Sequence, residues 1–320
     1  MERDRLPTPP AGRRQSTIRT FVCYLSDEFG VKGRGLQTKA GNRKEEMKIT
    51  RLGWAGIEVE HEGESAVIDY VTDLSAMEAL VGPARRPLPA TRNPGSIRLA
   101  LATHLHGDHA DPAALGEALS EDGMLLRPRR AEGEFLEIAA VAGAEEGLSD
   151  RSVPNTEVEP WESVRSGPFR ATAVPAVDAF GDPQVSWVLE AGGRRILHGG
   201  DTMFHGSWWL IRMRLGPIDA AFLPVNGPVV NLPHRQPPSA IEAALTPEQA
   251  VLAARILQTG HLVPIHYDTI DGPPAYEQTG SAIERVRQAA AEAEGLEATI
   301  LDEGGVLDLD QTGNKVVRPL

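Results

Sequence analysis

From residue 47 onward the chain is built of short apolar segments divided by turn residues, which predicts a sheet-rich domain. Stretches 47–52, 56–61 and 65–69 alternate in strand fashion and predict a meander, with Glu62-Gly63 as one turn. Residues 97–103 form a nearly continuous apolar run, the pattern of a strand buried on both faces. Asp111-Pro112 then supplies an N-cap and a proline at the first helical position, opening a helix to about Ser120. The segment 121–165 is less regular: Arg127, Arg129 and Arg130 precede an Ala/Glu-rich stretch of helical composition. Strands are predicted again at 169–174, 185–190, 194–198 and 220–224. Thr246-Pro247-Glu248-Gln249 reads as a capping box that starts a helix ending before Gly260. A strand over 262–266 and an amphipathic helix over 281–294 follow, the latter with Ile283, Val286, Ala290 and Ala293 on one face. Segments 298–301 and 305–309 predict a closing hairpin.

Residues 1–46 do not share this pattern. They hold ten Lys/Arg against six Asp/Glu, carry Pro7, Pro9 and Pro10, and show little apolar periodicity. The segment reads as a disordered extension, or as chain ahead of an internal start at Met47. Residues 47–320 read as one domain. The net charge of -13 argues against a phosphate-backbone binder. Cys23 is the only cysteine, so no intrachain disulfide and no cysteine-based zinc site is expected. No apolar run is long enough for a membrane helix, and no secretory h-region is read, so a cytoplasmic protein is expected.

The segment Thr103-His104-Leu105-His106-Gly107-Asp108-His109 changes the picture. It gathers three of the nine histidines and an aspartate where the buried strand ends and the helix begins. Side chains at i and i+2 of a strand end point the same way, so His104 and His106 can share one metal ion. Gly107 permits a sharp turn that brings Asp108 and His109 to a second ion. Imidazole and carboxylate donors suit Zn or Mn, with Fe also compatible, as one or two ions.

This segment resembles the H-x-H-x-D-H motif of the metallo-β-lactamase superfamily, and the likeness spans roughly residues 47–310. The resemblance implies an α+β fold, a four-layer αββα sandwich of two mixed sheets packed face to face with helices outside. It also implies a bridging aspartate, matched by Asp201 in His198-Gly199-Gly200-Asp201, and a final histidine, matched by His266 in Pro264-Ile265-His266-Tyr267. Gly53-Trp54-Ala55-Gly56, Leu223-Pro224-Val225-Asn226-Gly227 and Pro264-Ile265-His266-Tyr267 are similar to the group containing ascorbate-6-phosphate lactonase. The sequence departs from the family at Pro175-Ala176-Val177-Asp178, where the family's Pro-Ala-x-His places a histidine. Asp178 is the preferred substitute ligand, which would favour harder ions; the other readings are an empty first site, or Asp182 or His205 filling the gap.

The expected activity is hydrolysis of a small anionic lactone, ester or phosphodiester by metal-activated water, with Asp108 orienting the nucleophile and accepting its proton. Asn226, His205, and the pair His234 and Arg235 in a Pro-rich loop are candidate substrate contacts; Trp208 and Trp209 read chiefly as packing residues, and Tyr267 either lines the pocket or fills it. A small-molecule substrate is the expected partner, with neither nucleic acid nor membrane, and a homo-oligomer is compatible with the sequence. Two competing readings are a nuclease of the tRNA-processing type, disfavoured by the acidic charge, and a non-catalytic protein with a decayed site, for which Asp178 is the single hint.

Overall fold

The computed structural model describes residues 47–309; the expected N-terminal extension, 1–46, lies outside the described residues. The meander forms as predicted: β1 (Lys48–Gly53), β2 (Gly56–His61) and β3 (Glu64–Ile68) pair antiparallel, and Glu62 and Gly63 both take positive φ in the turn. A 3-10 turn (Ser75–Met77) and the short α1 (Glu78–Val81) follow. β4 (Ile97–Leu101) then joins β3 in parallel. Its buried apolar side chains explain the continuous run seen in the sequence. Parallel neighbours need crossovers, and α2 (Pro112–Ala118) and α3 (Phe135–Asp150) lie on the chain between β4, β5 (Leu119–Pro128) and β6 (Asn155–Val158). Asp111 caps α2 as expected, its carboxylate accepting from the amides of Ala113 and Ala114 at 3.0 Å.

The second sheet begins with β7 (Ser163–Ser166), β8 (Phe169–Pro175), β9 (Val185–Ala191) and β10 (Arg194–His198), all antiparallel. After α4 (Trp208–Leu215) comes β11 (Ala220–Pro224), parallel to β10. A small ribbon pairs β12 (Val229–Val230) with β14 (Tyr276–Glu277). Between them run α5 (Pro247–Leu257), which carries the predicted capping box on Thr246 and Gln249, and β13 (His261–Ile265), parallel to β11. α6 (Ala282–Ala291) and β15 (Glu297–Ala298) complete this sheet, and β16 (Val306–Asp308) returns to β1.

The result is two seven-stranded sheets, ordered β16-β1-β2-β3-β4-β5-β6 and β15-β13-β11-β10-β9-β8-β7. One apolar cluster, including Ile57, Leu101, Phe169, Trp187 and Phe222, fills the space between them. A second packs α4, α5 and α6 on the outer face of the second sheet, and a third packs α2 and α3 on the first. This is the expected αββα sandwich, each sheet burying both faces.

Two sequence readings need correction. The segments 298–301 and 305–309 are no hairpin: β15 is an edge of one sheet and β16 an edge of the other. Residues 119–128 form a ten-residue strand, and Arg127 there is buried because Glu145 of α3 grips its guanidinium, one bond measuring 2.9 Å. The sharp turn expected at Gly107 forms, with the amides of His109 and Ala110 donating to His106 O at 3.0 Å; it needs no positive φ, and an added Cβ would lie 3.3 Å from Met77 Cγ.

Candidate metal centre

The predicted ligands converge at one end of the sandwich. His104, His106, Asp108 and His109 follow β4, Asp178 follows β8, Asp201 follows β10 and His266 follows β13. Three overlapping groups have donor atoms within 4.8 Å of one another: His104, His106, Asp178 and Asp201; His104, Asp108 and His109; His109, Asp201 and His266. Asp201 and His109 thus belong to more than one group, the arrangement of two adjoining cation positions. Gly200 makes the approach of the Asp201 loop feasible. Its φ is +65°, and a Cβ there would lie 2.6 Å from Thr103 Oγ1.

Hydrogen bonds behind the histidines fix which nitrogen faces the cluster. His109 Nδ1 donates to Asp69 Oδ2 at 2.8 Å, and His266 Nδ1 donates to Asn226 Oδ1 at 3.0 Å. Thr103 Oγ1 donates to Asp69 Oδ2 at 2.8 Å and therefore accepts from His104 Nδ1 at 3.1 Å. Each of these rings keeps its Nε2 lone pair inward. His106 is turned the other way: its Nε2 donates to Asp182 Oδ2 at 2.9 Å, leaving Nδ1 as the lone-pair nitrogen. Asp178 Oδ1 accepts from the amides of Phe180 and Asp182, at 2.7 and 3.0 Å, so Oδ2 remains for another partner. Such outer partners orient ligands and raise their basicity.

The donor set fits a divalent cation. His109 Nε2 and His266 Nε2 face each other at 3.1 Å, a spacing that needs either a proton on one of them or a cation shared by both. His104 Nε2 is buried and has no hydrogen-bond partner. Burial alone would depress the pKa of His109, but the carboxylates of Asp108 and Asp69 outweigh it and raise it to about 10. Burial likewise drives Asp201 up to about 7 and His266 down to about 4. These are groups under strong mutual field, which is the environment a bound cation would relieve.

Several contributors escape sequence reasoning. Asp69 is wholly buried at φ +49° and holds Thr103 N (2.7 Å) as well as Thr103 Oγ1 and His109. Trp54 Nε1 donates to Asp108 Oδ2 at 3.0 Å, while the Trp54 ring packs 4.0 Å from that of His266. Gln184 Nε2 donates to Asp201 Oδ1 at 2.9 Å. Bonds that join the two sheets beside the cluster include Val185 N to Thr103 O, Trp187 Nε1 to Ala102 O, His266 N to Trp54 O and His198 Nε2 to Ala55 O, at 2.9, 3.0, 2.9 and 2.7 Å.

The predicted substrate contacts separate. His234 and Arg235 line a cavity of about 560 Å³ that opens on His106, Asp108, Asp201 and His266. Arg235 is largely committed, donating to Phe180 O at 2.8 Å and lying 3.5 Å from Asp182 Oδ2. Asn226 is buried behind His266 with both ends of its amide used, since Nδ2 donates to Tyr276 Oη at 2.8 Å; it positions a ring and does not line the cavity. His205 stacks on Trp208 at 4.2 Å, away from the cavity lining. Trp208 is buried as expected, and Tyr267 is buried under the Arg51 guanidinium, whereas Trp209 is 54% exposed.

Residues 43–267 match the sequence profile described as the beta-lactamase superfamily domain, which covers most of the chain. The chain belongs to that superfamily. It is 28% identical over 270 residues to a UPF0173 metal-dependent hydrolase of Thermus thermophilus, covering 79% of this chain and 100% of the relative. A UPF0173 metal-dependent hydrolase of Pelotomaculum thermopropionicum is 25% identical over 267 residues, covering 82% and 100%. These relatives place it among the metal-dependent hydrolases of the superfamily. Among solved structures, the novel metallo hydrolase Igni18 of Ignicoccus hospitalis superposes with a TM-score of 0.56 at 18% identity, covering 82% of this chain and 97% of that one. CmlA, a diiron beta-hydroxylase from Streptomyces venezuelae, gives 0.64 at 17%, covering 82% and 54%. At these identities the likeness is one of fold. No helix among the described residues is long and apolar enough to cross a membrane.

The departure at Asp178 yields a direct prediction. Asp178→Ala should lower the bound metal by about one ion, or weaken one site by about tenfold or more, as read by elemental analysis after dialysis. Unchanged stoichiometry and affinity would show that Asp178 is not a ligand.

Proposed function

We propose that this metal-dependent hydrolase cleaves a lactone, ester or phosphodiester bond in a small anionic molecule, in the manner of a lactonase, with Zn, Mn or Fe held as one or two ions. The proposed ligands are His104, His106 and Asp178 on one side, Asp108, His109 and His266 on the other, and Asp201 between. The supporting observation is the facing pair His109 Nε2 and His266 Nε2 at 3.1 Å, backed by Asp69 and Asn226 so that each ring turns Nε2 toward the same point, where a cation can replace the shared proton. A divalent ion bound there lowers the pKa of a water molecule and polarises the oxygen under attack.

The chain's own groups supply the rest. Trp54 Nε1 pins Asp108 Oδ2, which fixes the carboxylate that would orient the water and take its proton. Tyr276 lines the cavity, and burial pushes its pKa well above the usual phenol range. Its oxygen already accepts from Asn226, so the retained O–H is left to donate to the oxygen on which charge develops. Tyr276→Phe should therefore lower kcat by about 10²-fold with KM little changed. A kcat within twofold of the parent's would remove Tyr276 from the mechanism. A small-molecule substrate, not nucleic acid or membrane, belongs to this reading, and so does a cytoplasmic setting.

The test of the whole reading is metal analysis of the purified protein with hydrolysis screened against lactones, carboxylic esters and phosphodiesters. Metal-stimulated turnover of one class is the expected result. Absence of both bound metal and metal-stimulated hydrolysis would overturn it.

A further inference from the structure

The cavity that opens on the ligand cluster is unlike a receptor for a small, highly charged molecule. One wall comes from the 3-10 turn and α1 through Met77 and Leu80, a second from α3 through Ala140 and Ala144, and a third from Val230 and Leu232. Leu80 is left 41% exposed there, a cost that an apolar ligand would remove. Most of the polar groups on the walls are already engaged, although Arg235 Nε is buried without a partner. Asp73 accepts from Ser75 N and Oγ at 2.8 Å, Asp111 from Thr72, Ala113 and Ala114, and Arg235 is committed to Phe180 O and Asp182. Away from the ligand cluster and Tyr276, the cavity therefore offers mainly apolar surface, with His234 beside it. About 560 Å³ lies within the range of sites that bury most of a small organic ligand.

We propose that the substrate is a carboxylic ester or lactone whose acyl part is an extended apolar chain, seated between α1, α3 and β12 with its carbonyl toward Tyr276 and the ligand cluster. This rests on the hydrolase reading above, keeps the ester and the lactone of its three bond types, and replaces the anionic substrate by a neutral one. In the reaction water's oxygen joins the acyl carbon and the acyl C–O bond breaks. The alcohol oxygen leaves with one proton, and the acid product ionises to release the other. The anionic character then belongs to the carboxylate product, next to the cations, and the chain carries no charge.

Two measurements on the full-length, metal-loaded protein test this. In the first, 4-nitrophenyl esters from acetate to octanoate are compared with bis(4-nitrophenyl) phosphate. kcat/KM should rise about twofold to fourfold per methylene, the effect of moving each from water to an apolar wall. In the second, straight-chain carboxylates from acetate to decanoate are bound as product mimics by calorimetry, and affinity should rise by the same increment. Ala140→Trp should reduce the octanoate-to-acetate ratio at least about tenfold in both assays by filling the wall. A chain-length profile that stays flat in binding, or a preference for the phosphodiester, would overturn the acyl assignment while leaving hydrolysis intact. Chain-length-dependent binding without turnover of any substrate would support the acyl site and defeat the hydrolase reading instead.

Discussion

Asp69→Asn should abolish tight metal binding while leaving the protein folded. The substitution keeps the volume and one acceptor oxygen, so the bond from Thr103 N can persist. It places an NH2 group where Asp69 Oδ2 now accepts from both His109 Nδ1 and Thr103 Oγ1. Two donors cannot face each other, so His109 must move its proton to Nε2 or turn away, and Thr103 can no longer pass its orientation to His104 Nδ1. The lone pairs that point into the cluster would be lost from both sides of the site through one atom change. A loss of about 10–100-fold in metal affinity is expected, with activity falling in step. Asp69→Ala goes further, stripping a buried pair of one partner, and should cost about 3–5 kcal/mol of stability in calorimetric unfolding. Metal titration of the asparagine variant decides the matter: parent-like affinity would mean that Asp69 supports the backbone only.

Chelation should act on the fold as well as on the chemistry. The candidate ligands come from loops after β4, β8, β10 and β13, and the first of these strands is in one sheet while the others are in the second. Dialysis against a strong chelator is expected to eliminate hydrolysis. An ion bound at about a thousand times its Kd contributes about 4 kcal/mol to the folded state. At about 2–4 °C per kcal/mol for a domain of this size, Tm should fall by about 8–16 °C and recover when the ion is restored. A Tm indifferent to chelation, with metal demonstrably removed, would show that the two sheets hold this end together without it.

The cluster of candidate ligands was legible because its chemistry is local: three histidines and an aspartate in six residues, then Asp201 and His266 at the ends of short apolar strands. The supporting residues were not. Asp69 ends a strand pattern, where a polar residue is ordinarily a solvent-facing terminus, and nothing in its neighbourhood reveals that Thr103 and His109 close over it. Trp54, Gln184 and Tyr276 are in the same position, since each acts through a partner far away in sequence. Asn226 was found but misread, because a strand-end asparagine carries no sign of which group its amide will meet. The same limit explains the false hairpin. Period-2 patterning identifies β15 and β16 as extended, yet a strand of two or three residues does not choose its neighbour; the sheet edges already built by β13 and β1 do. The strand through Arg127 went unread for a related reason: the pattern records a charge, and only the fold supplies Glu145.

The division of the ligands between the two sheets also sets a schedule for biogenesis. As the chain leaves the ribosome, the cluster from His104 to His109 emerges well before Asp201, and His266 later still. Domains tend to fold as units once their sequence is available. If these residues are the ligands, that moment comes only after β13, and the three early histidines would spend much of synthesis without the geometry that discriminates among metals. The choice of ion would then fall late, when the second sheet closes on the first, and would follow what the cell supplies at that instant.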